Sequence, residues 1–356
     1  MKFNKSALSI TFLALAVFAS YANTFGNEFA WDDIYFIVDN IHSRNLGEIP
    51  GFFAEPSPGD LYRPMRSVFY TLIYQIFGLN AFGYHLNSFL LHLAVTVVLY
   101  FITLKITEKT ALSFAASLFF AVHPIHAERV TNMTAGFDIY GILFMMLAFL
   151  FYIMFSKNNL KKYFIFSIVF YLLALFSSEE AITLIPLLIL YELSFNNNIN
   201  FCNIPSLLKK YTPYILITIL YLIARFSVLQ KIGREEIYFN ESFLGTALTT
   251  VKIFAQYIWL LFFPIGLVTE RYVKFESSPL SPGFLIPLAF LFLLIFFFAK
   301  SYKKSKIIFF SIGWFFITLL PFSNLFPQVT IMAERYLYLP SYGFCLFLAF
   351  LIFSER

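Results

Sequence analysis

Long apolar runs separated by short polar connections dominate the chain. A helix needs about 20 apolar residues to cross a bilayer. Candidate segments at 7–22, 82–104, 111–122, 139–155, 163–176, 181–195, 211–229, 243–263, 284–299, 307–322 and 336–353 meet or approach that length. The first follows Lys2 and Lys5 and has no clear small-x-small cleavage site, so it reads as an uncleaved signal anchor. The one sizeable polar stretch comes next, from Asn23 to Arg66. No internal repeat of 20 to 50 residues is visible. The pattern predicts an all-α, polytopic transmembrane helix bundle of about 10–11 segments. It forms one membrane domain over 1–356, with a signal anchor at 7–22, a first external loop at 23–66 and the helix bundle at 82–353.

Composition sharpens this picture. Charged residues make up 13% of the chain, against roughly a quarter in soluble domains. Fifty Phe and 22 Tyr exceed what a water-soluble core of this size can bury. Water-soluble enzymes, nucleic-acid binders and disulfide scaffolds are thereby excluded. Cys202 in a polar loop and Cys345 in an apolar run form no metal or redox pair.

The net charge of +5 is spread over short loops, where it reports orientation. With the N-terminus in the cytoplasm, the Lys-bearing loops at 105–109, 157–162 and 196–210 all fall inside. If every candidate crossed, residues 300–306, with four Lys, would lie outside. Segment 243–263, with Lys252 and Gln256 mid-run and Pro264 at its end, is therefore expected not to cross. As a re-entrant or interfacial helix it restores the parity, and such partial crossings are tolerated where they line a cavity.

Polar residues at the membrane edge gather on the external side. They are Asp32 and Asp33 in FAWDDIYFIVDN, Arg63 and Arg66 in LYRPMRS, and His85 in YHLNSFLLH. His123, His126, Glu128 and Arg129 follow in HPIHAERV, then Asp138, Glu179 and Glu180, and finally Glu334 and Arg335 in AERYLYLPS. His92, two helical turns from His85, lies half-way into its segment. Each alone has an ordinary reading as a solvated loop residue, a histidine hydrogen-bonded within the bundle, or a local Glu334–Arg335 ion pair. Pro124 interrupts the His123/His126 turn and no third ligand clusters there, so no metal site is assigned.

The convergence points further. Arginine suits phosphate, because its fork matches the oxygens and it stays charged. A carboxylate within reach of an acceptor hydroxyl can take its proton as general base. Together they suit sugar transfer from a polyprenyl phosphate. A non-catalytic polyprenyl-lipid binder or flippase would use the same parts without the base. A proton-coupled transporter would need its polar groups near the midplane, where only His92 lies.

At these residues the sequence resembles the membrane part of the transmembrane and tetratricopeptide-repeat O-mannosyltransferases and their bacterial relatives, within the GT-C glycosyltransferase superfamily. The matching pieces are FAWDDIYFIVDN, LYRPMRS, YHLNSFLLH, HPIHAERV, SSEEAITLIPLLILYEL, LLFFPIGL and AERYLYLPSYGFCLF, from about Phe29 to Phe347. The family's GR-x-D stretch reads TAGFD here, Asn87 stands one place early between the two histidines, and the C-terminal repeats are missing. The resemblance implies a GT-C bundle whose first external loop carries the catalytic acid. It makes Asp32 the base and Asp33 its neighbour that orients acceptor or sugar. It makes Arg63, His85, His123, His126, Glu128, Asp138, Glu180, Glu334 and Arg335 contacts of the donor phosphate or sugar. It implies inverting transfer of mannose or another hexose from a polyprenyl-phosphate donor, without a metal cofactor, to a protein or glycan acceptor. The implied setting is a bacterial inner membrane with the active face to the periplasm, or the endoplasmic reticulum membrane in a eukaryote.

Overall fold

The computed structural model describes residues 5–196, 210–231 and 237–353. Most of the predicted loop at 196–210, with Cys202, lies outside the described residues. Among the described residues the chain is helical, and its one β-bridge joins Ser57 to Leu61.

Each predicted apolar segment falls on a helix. These are α1 (Lys5–Tyr21), α3 (Ala81–Thr107), α4 (Thr110–Val122), α7 (Ile139–Asn158), α8 (Lys161–Ser177) and α9 (Leu184–Phe195). They continue as α10 (Thr212–Leu229), α11 (Phe243–Phe262), α12 (Pro282–Lys304), α13 (Lys306–Leu319) and α14 (Pro340–Phe353). One helix is added that the periodicity did not predict, α2 (Pro64–Phe77). Two single turns, α5 (Ala127–Thr131) and α6 (Met133–Phe137), connect α4 to α7. Among the described residues six helices are long and apolar enough to cross a membrane. A seventh arises if α4 and the 124–131 stretch, bent by 50°, are taken as one span. The remaining apolar helices are shorter. The chain is a multi-pass membrane protein.

The bundle core lies where α3, α4, α7, α13 and α14 meet, around Val95, Leu99, Phe149, Trp314 and Tyr342, all fully buried. Trp314 keeps its indole N–H satisfied by donating to the Leu339 carbonyl at 3.0 Å. Gly343 lets α14 lie directly on α13, since a Cβ there would come within 2.4 Å of the Ser311 carbonyl. Close backbone approach over small residues is how helices associate where lipid supplies no hydrophobic drive.

The two ends of the bundle differ. At one end Lys157 pairs with Glu108 at 2.9 Å, Lys210 with Glu192 at 2.6 Å, and Lys306 donates to the Leu193 carbonyl at 3.3 Å. The lysine-bearing connections thus cluster there, the 300–306 run included. The other end carries the acids and arginines of the first loop.

Helix α11 hydrogen-bonds to connections at that second end. Tyr238, just before it, donates to the Leu325 carbonyl at 3.1 Å. Asn324 donates to Thr250 at 3.1 Å, and Tyr257 to the Ala333 carbonyl at 3.2 Å. Near its C-terminus the Leu261 carbonyl accepts from His123 Nε2 at 3.1 Å. All these partners cap α4 or lie between α13 and α14. These contacts favour the non-crossing arrangement that the charge parity asks for, while the helix is itself one of the six long and apolar enough to cross. Cysteines introduced at Leu244 and Ile265, in a Cys202→Ser background, are expected to react with a membrane-impermeant maleimide from the same side. Lys303→Cys is expected to react only from the other, and labelling of 244 and 265 from opposite sides would show that α11 crosses.

Candidate functional site

The first loop is pinned by Asp33. Its Oδ1 accepts from the Thr134 N–H at 2.9 Å and the Thr134 hydroxyl at 2.8 Å, and its Oδ2 from the Ala30 N–H at 3.3 Å. These bonds use up the carboxylate and bury it, so Asp33 does not face the cavity described next. Contrary to its expected contact with acceptor or sugar, it anchors the loop to the first turn of α6. Its neighbour Asp32 is exposed, and among the described residues it has no hydrogen bond or ion pair.

Asp32 lines a cavity of about 440 Å³ between the first loop, the α4–α7 connection and the segment before α14. That volume lies in the range of small-ligand pockets, about 300–1,000 Å³. Of the residues expected from sequence, Arg63, Glu128, Asp138, Glu180 and Arg335 line it with Asp32. Asp138 is the hub. It accepts from Arg63 Nη1 at 2.6 Å, Arg66 Nη1 at 3.0 Å and Arg129 Nη1 at 3.3 Å. Arg63 Nε donates on to Glu179 at 2.7 Å, and Arg129 Nη2 to Glu180. Three guanidiniums thus meet three carboxylates, all largely buried. Burial pushes the Glu180 carboxyl above its usual range, with Arg129 pulling it back only in part. For Arg63 burial acts against the charge, and Asp138 and Glu179 overcome it, so the guanidinium stays firmly protonated.

This network leaves donors over. Nε and Nη2 of Arg66 and Nε of Arg129 are buried and without an acceptor among the described residues. Buried polar groups are nearly always paired, so two arginines that line the cavity and keep unpaired guanidinium nitrogens suit a ligand rich in acceptor oxygens. Arg66 and Arg129 were visible in LYRPMRS and HPIHAERV, but nothing in one dimension showed that both reach Asp138. Arg66 does so because α2 places it one turn from Arg63, and Pro64 at the first helical position sets that turn.

Two further ion pairs hold the segment before α14, the first of them on the cavity wall. Glu128 accepts from the Arg335 guanidinium and, at 2.8 Å, from the Arg335 N–H. Glu334 pairs instead with Arg271 at 2.7 Å and accepts from the Val268 N–H at 2.8 Å. The adjacent Glu334 and Arg335 therefore serve different partners and do not pair with each other.

Four expected contacts stand behind the cavity and do not line it: His85, His123, His126 and Glu334. His85 is buried beside Asn27 and Asp33. His123 accepts from the Ile125 N–H at 3.2 Å while donating to Leu261. His126 Nε2 meets the Ser341 hydroxyl at 2.8 Å, and His92 Nδ1 meets the Tyr338 hydroxyl at 2.7 Å. HPIHAE and AERYLYLPS thus lock together through His126–Ser341 and Glu128–Arg335, and the histidines position the wall. Among the described residues no cluster of three His, Cys, Asp or Glu could hold a metal.

A family model described as dolichyl-phosphate-mannose-protein mannosyltransferase matches residues 57–229. That stretch holds Arg63, Arg66, Arg129, Asp138 and Glu180. The resemblance drawn from the motif series extends over most of the chain. Protein O-mannosyl-transferase F38B6.6 of Caenorhabditis elegans is 25% identical over 352 residues, covering 94% of this chain and 50% of that protein. Protein O-mannosyl-transferase TMTC3 of Homo sapiens is 26% identical, covering 97% of this chain and 42% of its own. Protein O-mannosyl-transferase TMTC4 of Homo sapiens is 27% identical, covering 93% of this chain and 53% of its own. The chain spans about half the length of these curated relatives. No solved structure matches it.

Proposed function

We propose that the chain is a membrane glycosyltransferase that moves mannose from a polyprenyl-phosphate donor, such as dolichyl phosphate mannose, to a protein hydroxyl. One observation carries the reading: Asp32, a carboxylate unpartnered among the described residues, lines one cavity with Arg66 and Arg129, whose guanidiniums keep unpaired donors. A general base and a phosphate cradle in one pocket are what displacement at a phosphate-linked anomeric carbon requires. The relatives' names support the sugar and the acceptor class.

In this mechanism Asp32 accepts the proton of a Ser or Thr hydroxyl as its oxygen attacks the anomeric carbon. The new glycosidic bond forms as the bond from that carbon to the phosphate oxygen breaks, with inversion. The electron pair leaves with the phosphate, and Arg66 and Arg129 stabilise the charge that grows there. Asp33, bound to Thr134, holds Asp32 in place. The lysine-rich end faces the cytoplasm by the positive-inside rule, so the reaction faces the lumen of the endoplasmic reticulum or, in a bacterium, the periplasm. No metal takes part.

The phosphate cradle is tested by competition binding. Dolichyl phosphate is expected to displace a labelled donor, and dolichol, which lacks the phosphate, is not. Arg66→Gln, which keeps a donor for Asp138, is expected to weaken donor binding by about 10- to 100-fold, the value of hydrogen bonds to a charged group. Equal competition by dolichol, with Arg66→Gln binding as wild type does, would refute the assignment.

A further inference from the structure

Trp31 is placed unlike the other two tryptophans. Trp314 is buried and satisfied, and Trp259, though 62% exposed, packs on Phe263 with ring centroids 4.3 Å apart. Trp31 lines the cavity, is 63% exposed, and among the described residues its ring meets no aromatic or cation and its N–H no acceptor. Its backbone is also strained, with φ at 55° in the left-handed region that a bulky side chain rarely adopts. Such conformations persist where the surroundings over-determine them, and they cluster at ligand clamps. Here the determinants are visible. The Asp33 N–H donates to the Ala30 carbonyl at 3.0 Å, the Ile34 N–H to the Trp31 carbonyl at 3.2 Å, and Thr134 holds the Asp33 carboxylate. The chain thus spends strain to present an unpartnered indole next to Asp32, in a cavity whose other named groups are mostly charged.

We infer that Trp31 is a specificity-determining platform on which the hexopyranose ring of the donor stacks, setting the anomeric carbon beside Asp32. This rests on the donor reading above. The face of an indole carries negative potential, and the axial C–H groups of a pyranose present a weakly positive, apolar face to match it. Arginines on the same cavity would hold the phosphate while the indole holds the sugar.

The test compares wild type with Trp31→Phe and Trp31→Leu, using dolichyl phosphate mannose and sugar-free dolichyl phosphate as probes. The expected result is that Trp31→Leu binds the mannose lipid about threefold to tenfold more weakly, the scale of one aromatic contact. It binds the sugar-free lipid as wild type does, and Trp31→Phe stays near wild type with both. A misfolded variant would lose both lipids together, which the sugar-free arm detects, and Trp31→Tyr then supplies the second ring-retaining comparison. Unchanged mannose-lipid binding by Trp31→Leu would overturn the inference. So would retention by Tyr with loss by Phe, because Trp and Tyr but not Phe characterise membrane-interface anchors. If wild type bound neither lipid, the donor reading itself would fall, an outcome distinct from both.

Discussion

Replacing Asp32 by Asn is expected to slow sugar transfer by about 10²- to 10⁴-fold, the usual contribution of a general base. Donor binding should be unchanged. The substitution keeps the size of the side chain and removes only its ability to accept a proton fully. Because Asp32 has no partner among the described residues, the variant should unfold at the wild-type temperature. Asp33→Asn should behave differently. Its carboxylate holds two Thr134 donors, so its loss is expected to loosen the first loop and lower stability as well as rate. Measuring turnover, donor affinity and thermal unfolding on the same preparations separates the two. Turnover by Asp32→Asn within twofold of wild type would remove Asp32 from the role of base.

Asp138→Ala is expected to be the most damaging single change to the site. Three guanidiniums share this carboxylate, and among the described residues Glu179 and Glu180 remain to balance them. Breaking a buried pair by removing one partner costs about 3–5 kcal/mol, because it leaves an uncompensated charge. The cost appears as a lowered unfolding temperature in detergent even without substrate. Glu128→Ala removes the partner of a single, partly exposed arginine and should cost less. If Asp138→Ala unfolded no earlier than Glu128→Ala, the arginine hub would carry no structural weight.

Much of this fold was legible because membrane helices announce themselves by length and apolarity, and lysine placement assigns their ends. The same parity argument singled out 243–263, which hydrogen-bonds at both ends to connections around the site. Helix α2 was not legible. Its buried face is Arg66, Ser67, Tyr70 and Thr71, a polar seam against the first loop that no apolar count detects. The convergence of Asp32, Arg63, Glu128, Asp138, Glu180 and Arg335 followed from their shared side of the membrane. Distance along the chain could not say which polar residues face the cavity and which brace it. His123, His126 and Glu334 look like site residues in sequence because they adjoin Glu128 and Arg335. Their hydrogen bonds to Leu261, Ser341 and Val268 make them wall supports. TAGFD, which lacks the family's arginine, still delivers Asp138 to arginines, because Arg129 reaches it from nine residues upstream.

The most direct test is transfer of labelled mannose from dolichyl phosphate mannose to a Ser/Thr-rich peptide by the purified chain in proteoliposomes, with and without EDTA. The account predicts a mannosylated peptide with the anomeric configuration inverted relative to the donor, formed at the same rate in both buffers. Absence of transfer while donor binding persists would contradict it and leave a lipid-handling protein in place of a transferase.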